Sequence, residues 1–443
     1  MKRYTVYTVC LLLFAVACQP KHTNKTKPTE VQSFARTFKK YPPETHFMGS
    51  VEIADQTRVR FTKHQGFEQL TRGVPIGNSS TFKIGSVSKM FTAVLLLKAY
   101  EKKMLTLETP LTAFFPENRH WKDIQVKMLL QHQSGIHNFT ADSSFFSYRE
   151  TAQTQQMLLG KISNFPLDFT PGHSTEYSNS NYFLLALILE KLYQQPYAAL
   201  IKSEIITPLK LRHTYEGTTI TAAAQPNSYT YTSHWTLFPP THLSIPLGSG
   251  SLCSNPSDLN RFLSALFEGK LLQQNTLALM LSARQQFGLG IKEYVFNDQK
   301  AWGHMGSIDG FKTAALYFPK QKIALSVCSN GTANNFDQFL QELTSEFFNR
   351  PQLQISQQQL LQYTGRYQDP TDPKHQPEFS AKNGILYLHL SDFKDPLRYK
   401  GAHEFVLDQI HANPIHFVFD TKNNQLTFKQ GTFKCTMKKQ EQG

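Results

Sequence analysis

The 443-residue chain has little cysteine, little charge and no long apolar run, and each shortage excludes a class of protein. Beyond the N-terminal segment the cysteines are Cys253, Cys328 and Cys435, too far apart for a disulfide framework or a zinc cluster. Charged residues make up 18% of the chain, and although the net charge is +13 the lysines are scattered. Nucleic-acid binding calls for a basic stripe with interleaved aromatics. We therefore expect no metal, no cofactor and no nucleic-acid partner.

The N-terminal segment resembles an export signal. The apolar stretch Val9–Ala17 follows two basic residues and is shorter than the roughly 20 residues of a membrane helix. Ala15-Val16-Ala17-Cys18 resembles a bacterial lipobox, in which the new N-terminal cysteine is lipidated. The alternative is a plain cleaved signal peptide in which Cys18 has no role. We expect an exported protein, anchored through Cys18 to the periplasmic face of a bacterial membrane.

Composition and periodicity divide the chain into four parts. Residues 1–18 form the signal, and residues 19–45, rich in Lys, Thr, Pro and Gln, predict a flexible tether. Residues 46–350 mix helix-period and strand-period patterns and predict an α+β domain. Residues 351–443 carry short alternating runs separated by turn pairs, which is typical of an all-β accessory domain.

Several elements of the larger domain follow from periodicity. A β-hairpin is predicted for Phe47–Lys63, core helices for 87–97 and Tyr182–Leu192, strands for Thr313–Phe318 and Ile323–Cys328, and an amphipathic helix for Asn334–Asn349. Because Cys328 lies in an apolar run, it is expected to be a buried strand residue.

Three short patterns carry the chemistry: Ser86-Val87-Ser88-Lys89, Tyr177-Ser178-Asn179 and His304-Met305-Gly306. Ser-x-x-Lys also occurs at Ser80–Lys83 and Ser391–Lys394, and basic-x-Gly occurs at several other places, so two of the three are weak alone. Only Ser86 stands immediately before a helix-forming apolar run. The helix start places N–H groups beside the serine, where negative charge develops during acyl transfer.

Lys89 lies one helical turn beyond Ser86 on the same face, within reach of its hydroxyl. A lysine in a crowded, partly desolvated site has a lowered pKa and can act as a base. The alternative is that Ser86 only caps the helix and Lys89 is solvated.

The other two patterns supply partners for this serine. Tyr177 can pass a proton, and the Asn179 amide can bind a substrate carbonyl and the lysine ammonium. Gly306 allows a substrate backbone to approach an edge strand closely, the Ser307 N–H can complete an oxyanion hole with that of Ser86, and His304 offers a hydrogen-bonding wall. The alternatives are a packed loop tyrosine, a capping asparagine and an ordinary loop histidine.

The run Ile84–Ala93 resembles the nucleophile motif of the serine β-lactamase and penicillin-binding-protein superfamily, closest to class C β-lactamases, D-Ala-D-Ala carboxypeptidases and related esterases. Further matching blocks follow in order: Leu129–Ile136, Phe169-Thr170-Pro171-Gly172 before Tyr177, Pro208-Leu209, Gly248–Leu252 before Ser257-Asp258-Leu259, and His304-x-Gly306 before Gly310-Phe311. The resemblance covers roughly Phe47 to Phe348.

The resemblance implies an acylated nucleophile at Ser86, acid–base work shared by Lys89 and Tyr177, and substrate binding by Asn179. His304 stands where many relatives carry lysine. The implied fold is a five-stranded or larger antiparallel sheet flanked by helices (an α/β sandwich), beside a mostly helical subdomain, with the site at their junction. The resemblance also implies a small β-barrel-like module after this domain, for which structural support is the expected role.

Two departures from the family pattern narrow the substrate. Met305 lacks the hydroxyl that binds a β-lactam or D-alanine carboxylate in many relatives, and His304 anchors a carboxylate less well than lysine. We expect a serine hydrolase acting on D-amino-acid peptides, in the manner of a DD-carboxypeptidase, or on esters, with peptidoglycan-derived substrates included. The alternatives are a class C-like β-lactamase and a non-catalytic envelope scaffold. Neither a Gly-x-Ser-x-Gly elbow nor a His-Glu-x-x-His motif occurs.

Overall fold

A tight hairpin begins the main sheet. Strand β1 (Phe47–Asp55) turns back as β2 (Val59–Gln65) because Asp55 Oδ1 accepts hydrogen bonds from the backbone N–H groups of Thr57 and Arg58 at 2.7 and 2.9 Å.

The computed structural model describes residues 34, 37–221, 225–283, 286–296, 299–333, 336–348, 353, 355–372, 376–382, 384–390, 393–407 and 414–440.

The strands that follow β2 up to the last of the main sheet are β3 (Phe67–Gln69), β4 (Val74–Pro75), β5 (Phe82–Lys83), β6 (Tyr215–Glu216), β7 (Tyr229–Tyr231), β8 (Trp235–Leu237), β9 (Leu252–Ser254), β10 (Lys292–Phe296), β11 (Gln299–Ile308), β12 (Phe311–Phe318) and β13 (Ile323–Thr332). The main sheet is antiparallel along the order β10-β11-β12-β13-β1-β2; the short β7 pairs with β13, and β8 pairs with β7. A three-stranded sheet has the order β5-β9-β6, and β3 pairs with β4.

Helices cover both faces of this sheet. The helix Pro256–Phe267 covers one face of the sheet, and its Leu259 and Phe262 pack into the apolar core that this face shares with the helical subdomain. The helix Phe336–Phe347 covers the opposite face, where Phe339 and Leu343 pack into a second core. The remaining described α-helices are Ser88–Glu101, Val126–Leu130, Phe145–Tyr148, Gln155–Asn164, Asn179–Tyr193, Tyr197–Ile201, Thr207–Leu209, Gln274–Met280 and Gln357–Leu360. The Ser88–Glu101 helix is apolar around most of its circumference and nearly all of it is buried, as expected for a central helix.

The predicted tether is wrong at its C-terminal end. Phe34 and residues 37–40 are helical, and Phe34, Phe38 and Tyr41 are buried against the helix Phe336–Phe347. Their aromatic side chains complete the core on that face of the sheet, which a composition argument could not reveal. The first 33 residues, and with them the predicted signal and Cys18, lie outside the described residues.

The C-terminal part is a closed eight-stranded barrel, which confirms the predicted all-β module. Its strands are β14 (Gly365–Gln368), β15 (Glu378–Lys382), β16 (Ile385–Leu390), β17 (Phe393–Gly401), β18 (Glu404–Leu407), β19 (Ile415–Asp420), β20 (Gln425–Gln430) and β21 (Phe433–Lys439). Each described strand pairs with a neighbour on either side, so the sheet closes on itself. The barrel core is apolar and mixes aliphatic with aromatic side chains.

The predicted elements of the larger domain are otherwise confirmed. The hairpin, the two core helices and both predicted strands are present, and Cys328 is buried in β13 as expected. The amphipathic helix predicted for Asn334–Asn349 is described over Phe336–Phe347. Among the described residues no helix is long and apolar enough to cross a membrane.

Candidate active site

Ser86 lies in a single 3₁₀ turn, Gly85–Val87, that leads directly into the helix Ser88–Glu101. Gly85 has φ 49°, and a Cβ at this position would lie 2.9 Å from the Ser307 backbone nitrogen. Glycine therefore permits both the left-handed turn and the close approach of β11. Neither the turn nor the helix has a side-chain N-cap bond. The alternative that Ser86 merely caps the helix is wrong.

Lys89 is fully buried and its ammonium has three oxygen partners. The Nζ atom lies 3.1 Å from Ser86 Oγ, 2.7 Å from Asn179 Oδ1 and 2.8 Å from the Ser249 carbonyl oxygen. Burial lowers the pKa of Lys89 well below its usual value, because desolvation disfavours the charged form. The alternative of a solvated helix lysine is also wrong, and the arrangement suits a base.

Tyr177 contacts both the serine and the lysine. Its hydroxyl lies 2.5 Å from Ser86 Oγ, and its ring centroid is 4.8 Å from Lys89 Nζ. The residue is 36% exposed, at the edge of the cleft. Burial raises the pKa of Tyr177, and the hydrogen bond with Ser86 offsets only part of that rise. The phenol therefore keeps its proton at neutral pH and serves as a donor.

Asn179 is the first residue of the helix Asn179–Tyr193, and loop residues fix its orientation. Its backbone N–H donates to Asn138 Oδ1 at 3.0 Å, and its Nδ2 donates to Thr140 Oγ1 at 2.9 Å. Because both Nδ2 and the backbone are held, Oδ1 faces Lys89. The asparagine is therefore a fixed acceptor for the lysine rather than a helix cap.

Gly306 brings β11 against the serine turn. A Cβ on Gly306 would lie 2.0 Å from the Ile84 carbonyl oxygen and 3.0 Å from the Ser86 nitrogen. Strand β10 pairs with β11 only as far as Gly303, so the following residues border the cleft instead of another strand. The glycine serves the packing of strand against turn, a different reason from the substrate approach that the sequence suggested.

His304 is a buried strand residue, not a loop histidine. Its Nδ1 lies 2.6 Å from the Met305 carbonyl oxygen. Since a carbonyl can only accept, Nδ1 carries a proton and donates to this oxygen. The Tyr177 and His304 rings lie 6.4 Å apart, so the histidine borders the serine cluster.

Several buried basic groups make this part of the interior electropositive. The His132 ring is tilted against the Tyr177 ring with 4.5 Å between the centroids, and His132 Nδ1 accepts a hydrogen bond from the Ser178 N–H. Burial lowers the pKa of His132 well below its usual value, and the neighbouring basic groups Lys89, His304 and Lys292 lower it further. Burial also lowers the pKa of Lys292 to about 8. Burial thus shifts both His132 and Lys292 toward their uncharged forms.

The serine opens into a cleft of about 750 Å³. Besides His304, the cleft is lined by the basic side chain of Lys312 and the acidic side chain of Asp337. Lys312 Nζ donates a hydrogen bond to Ser307 Oγ at 2.8 Å. The lining residues are Ser86, Thr175, Tyr177, Asn179, Phe287, His304, Met305, Gly306, Ser307, Lys312, Thr313, Thr332, Phe336 and Asp337. Within the described ranges no group of three or more His, Cys, Asp or Glu residues could hold a metal ion.

The fold brings together every predicted site residue of the larger domain. Ser86, Lys89, Tyr177 and Asn179 form one hydrogen-bonded cluster, and the cleft wall contains the remainder: His304, Gly306 and Ser307. Sequence reasoning assigned no role to Asn138, Thr140, His132 or the Ser249 carbonyl. His132 and Ser249 lie in sequence blocks that match the family, which was the only signal pointing to them.

The chain is similar in sequence and in fold to known proteins. The family model described as Beta-lactamase matches residues 34–344. The teichoic acid D-alanine hydrolase of Staphylococcus aureus is 26% identical over 235 residues, which are 52% of this chain and 57% of the relative. The chain thus matches little more than half the length of this curated relative.

Two solved structures share the fold. A D-stereospecific amidohydrolase from Streptomyces sp. superposes with a TM-score of 0.63 at 24% identity, covering 72% of this chain and 98% of that one. The octameric penicillin-binding protein homologue from Pyrococcus abyssi has a TM-score of 0.63 at 20% identity and covers 92% of this chain and 98% of its own. The second match therefore extends into the barrel.

Proposed function

The chain belongs to the beta-lactamase family, and from that premise we propose that it is a serine hydrolase that forms an acyl-enzyme at Ser86 with esters or amides of D-amino acids. One observation carries the proposal. The fully buried Lys89 and the Tyr177 hydroxyl both contact Ser86 Oγ, at 3.1 and 2.5 Å. A serine that only stabilised the fold would not need two proton-transfer groups.

The two pKa shifts divide the acid–base work. Because burial lowers the pKa of Lys89 and raises that of Tyr177, the lysine is the group able to accept the serine proton, while the tyrosine remains protonated. As Ser86 Oγ bonds to the substrate carbonyl carbon, its proton passes to Lys89. Tyr177 then donates a proton to the leaving oxygen or nitrogen and is reprotonated from Lys89. A water molecule then attacks the acyl-enzyme in the same way: its proton passes to Lys89, Tyr177 protonates Ser86 Oγ, and the carboxylic acid is released.

The negative charge of the tetrahedral intermediate needs donors on the opposite side of the carbonyl. The turn carrying Ser86 and the strand carrying Ser307 meet at Gly85 and Gly306, which supports an oxyanion hole made of the two serine N–H groups. Asn179 lines the same cleft and can bind the acyl part of the substrate.

The substrate class follows from the relatives and from position 305. The Staphylococcus relative is named a teichoic acid D-alanine hydrolase, and the Streptomyces structure is a D-stereospecific amidohydrolase. Met305 lines the cleft and packs in the core between the sheet and the helix Phe336–Phe347. Because its side chain is a thioether, it offers no hydroxyl to a substrate carboxylate. Leaving groups without a carboxylate are therefore favoured over the terminal D-alanine of a carboxypeptidase substrate or a β-lactam.

The first experiment is intact-mass analysis after treatment with a fluorophosphonate, on the wild type and on Ser86→Ala. We expect one adduct on the wild type and none on the variant. A substrate series then compares D-alanyl and D-phenylalanyl esters and amides with their L-enantiomers, a D-alanyl-D-alanine peptide and a chromogenic cephalosporin. Preference for the D-esters or D-amides supports the proposal, whereas efficient cephalosporin hydrolysis favours a class C-like β-lactamase.

A folded wild type that forms no adduct and hydrolyses none of these compounds would contradict the proposal and favour the non-catalytic scaffold.

The cellular position is proposed from the sequence: export, and a lipid on Cys18. Cys18→Ala should then move the protein from the membrane fraction to the soluble fraction, and an unchanged distribution would contradict the anchor.

A further inference from the structure

A second Ser-x-x-Lys pattern, Ser80–Lys83, has no role in the cluster described so far, yet its lysine forms a fully buried ion pair. Lys83 Nζ lies 3.1 Å from Asp309 Oδ2, and neither side chain is exposed to solvent. Ser80 does not take part, because its Oγ accepts a hydrogen bond from the Gly77 N–H. The serine-like motif is thus a false match, but its lysine is a buried charge that needs an explanation.

The third member of this junction is Thr241. Its carbonyl oxygen accepts from Lys83 Nζ at 3.1 Å, while its N–H and hydroxyl donate to Asp309 Oδ1 at 2.9 and 2.7 Å. Thr241 begins the segment that leads to Ser249, the residue whose carbonyl accepts from Lys89. The three residues therefore join three separate chain segments at one buried point.

Each of the three segments leads directly to a group that the proposed reaction uses. Lys83 is followed by Ile84, Gly85 and Ser86, and Asp309 stands two residues beyond Ser307 in the turn between β11 and β12. The two segments already touch, since a Cβ on Gly306 would lie 2.0 Å from the Ile84 carbonyl. The junction ties them immediately outside that contact.

Stability alone does not account for the ion pair. Burying two charges costs desolvation free energy that their attraction often fails to recover, so apolar residues of the same size would serve as well or better. The pair instead fixes the relative position of the segments that carry it. Asp309 Oδ2 must meet Lys83 at hydrogen-bond distance, and Asp309 Oδ1 must meet the Thr241 donors. Packing by apolar side chains is less directional.

We propose that Lys83, Asp309 and Thr241 are positioning residues that hold the Ser86 turn, the Ser307 strand and the Ser249 segment in register, so that the two oxyanion donors and the lysine acceptor keep their places. The inference deepens the proposed function and depends on it. None of the three residues touches the reacting atoms; they act through Ser86, Ser307 and Ser249.

The test compares the wild type with Asp309→Asn, with the double variant Lys83→Met/Asp309→Asn, and with the milder Thr241→Val. The matched control is Glu204→Gln, which breaks a partly exposed ion pair with Lys98 in the helical subdomain. The measurements are the thermal unfolding midpoint, kcat and KM on p-nitrophenyl acetate, and the inhibition constant of a phenylboronic acid, whose oxygen occupies the oxyanion position.

We expect Asp309→Asn to lower both the unfolding midpoint and kcat, because it leaves a buried lysine uncompensated. The double variant should recover most of the stability while kcat stays about 10- to 100-fold low, as expected for small misplacements of reacting groups. KM should change little, and the boronate affinity should fall in parallel with kcat. Thr241→Val should show the same pattern more weakly, and Glu204→Gln should leave kcat and boronate affinity unchanged.

A double variant whose kcat and boronate affinity return to wild-type values together with stability would overturn the positioning role and leave the proposed function intact. If the double variant fails to fold, Thr241→Val decides the question by the same split between kcat and KM. A wild type that is inert toward p-nitrophenyl acetate and toward the D-amino-acid esters and amides, and that forms no fluorophosphonate adduct, would overturn the proposed function and the junction's role with it.

Discussion

The interiors of the two β-rich parts of this chain are built differently. The larger domain buries the side chains of Lys83, Lys89 and Lys292 among apolar residues, with His132 and His304 nearby. The barrel core consists of apolar and aromatic side chains, with rings such as Phe405 and Phe419 packed edge to face. Among the described residues the buried lysines all lie in the larger domain, whereas the charged residue buried in the barrel is Asp369, which accepts hydrogen bonds from Cys435 and Thr371. Buried basic side chains therefore distinguish the larger domain from the barrel.

The cleft reflects the same contrast. All of its lining residues in the described part of the chain fall between Ser86 and Asp337, before the barrel begins. The barrel is therefore expected to contribute to the stability of the chain, not to the reaction. Four substitutions test this comparison, in order of decreasing expected effect on activity.

The largest effect is expected for Ser86→Ala, which removes the nucleophile. Ester hydrolysis should fall by about 10⁴-fold or more, while the unfolding midpoint changes little because Ser86 Oγ is only half-buried. Steady-state kinetics and calorimetry measure the two quantities. Ser80→Ala, the serine of the false motif, is the matched control and should keep its activity; equal losses in both variants would contradict the assignment.

Lys89→Arg should come next, with a loss of about 10³-fold, since a guanidinium cannot give up its proton near neutral pH. In the wild type, burial lowers the pKa of Lys89. A lowered pKa means that the neutral amine forms at a lower pH, so kcat/KM should rise with pH through that pKa and then level off. The rise should be absent in the arginine variant. A wild-type profile that falls with pH over this range would exclude Lys89 as the base.

Gly306→Ala should reduce kcat by about 10²-fold, because its Cβ would lie 2.0 Å from the Ile84 carbonyl and push β11 away from the serine turn. Gly160→Ala is the control, since nothing lies within 4 Å of a Cβ there. That glycine is inside the helix Gln155–Asn164, so the change should stabilise the protein by about 0.5–1 kcal/mol. Unchanged activity in Gly306→Ala would refute the close packing.

The smallest effect on activity is expected for Phe419→Ala in the barrel. Phe419 is buried against Phe379, Phe405 and Tyr363, so its loss should cost about 3–5 kcal/mol of barrel stability. The rate of fluorophosphonate labelling at Ser86 should nevertheless stay within about two-fold of the wild type, because the described residues that line the cleft all precede the barrel. Hydrogen exchange measures the stability of the barrel and of the larger domain separately. A parallel loss of labelling would show that the barrel supports the cleft.

Local patterns predicted much of this molecule. The alternation in Phe47–Lys63 and the helical spacing around Tyr182–Leu192 were sufficient because each element buries one continuous apolar surface. The same reasoning failed for Phe34, Phe38 and Tyr41. Their partners on the helix Phe336–Phe347 are some 300 residues away in the chain, so nothing in their local composition indicated a core.

The candidate site divides in the same way. The Ser86 and Lys89 pair was predictable because both residues lie on one helical turn, and the family blocks indicated Tyr177, Asn179 and His304. The sequence could not indicate that Thr140 and Asn138 fix Asn179, or that the Ser249 carbonyl faces Lys89. Those contacts join segments that are distant in sequence, and backbone carbonyls carry no signal in a residue code.

By itself the sequence determined which side chains could perform the chemistry, since residue type fixes a group's proton affinity and its capacity for hydrogen bonding. The tertiary structure decided their state. Only burial lowers the pKa of Lys89 and raises that of Tyr177, and only the packing of β11 against the turn at Gly85 places Ser307 beside Ser86. It also turned Lys83 from a rival catalytic lysine into half of a buried ion pair, because desolvation and distance depend on what the fold brings together.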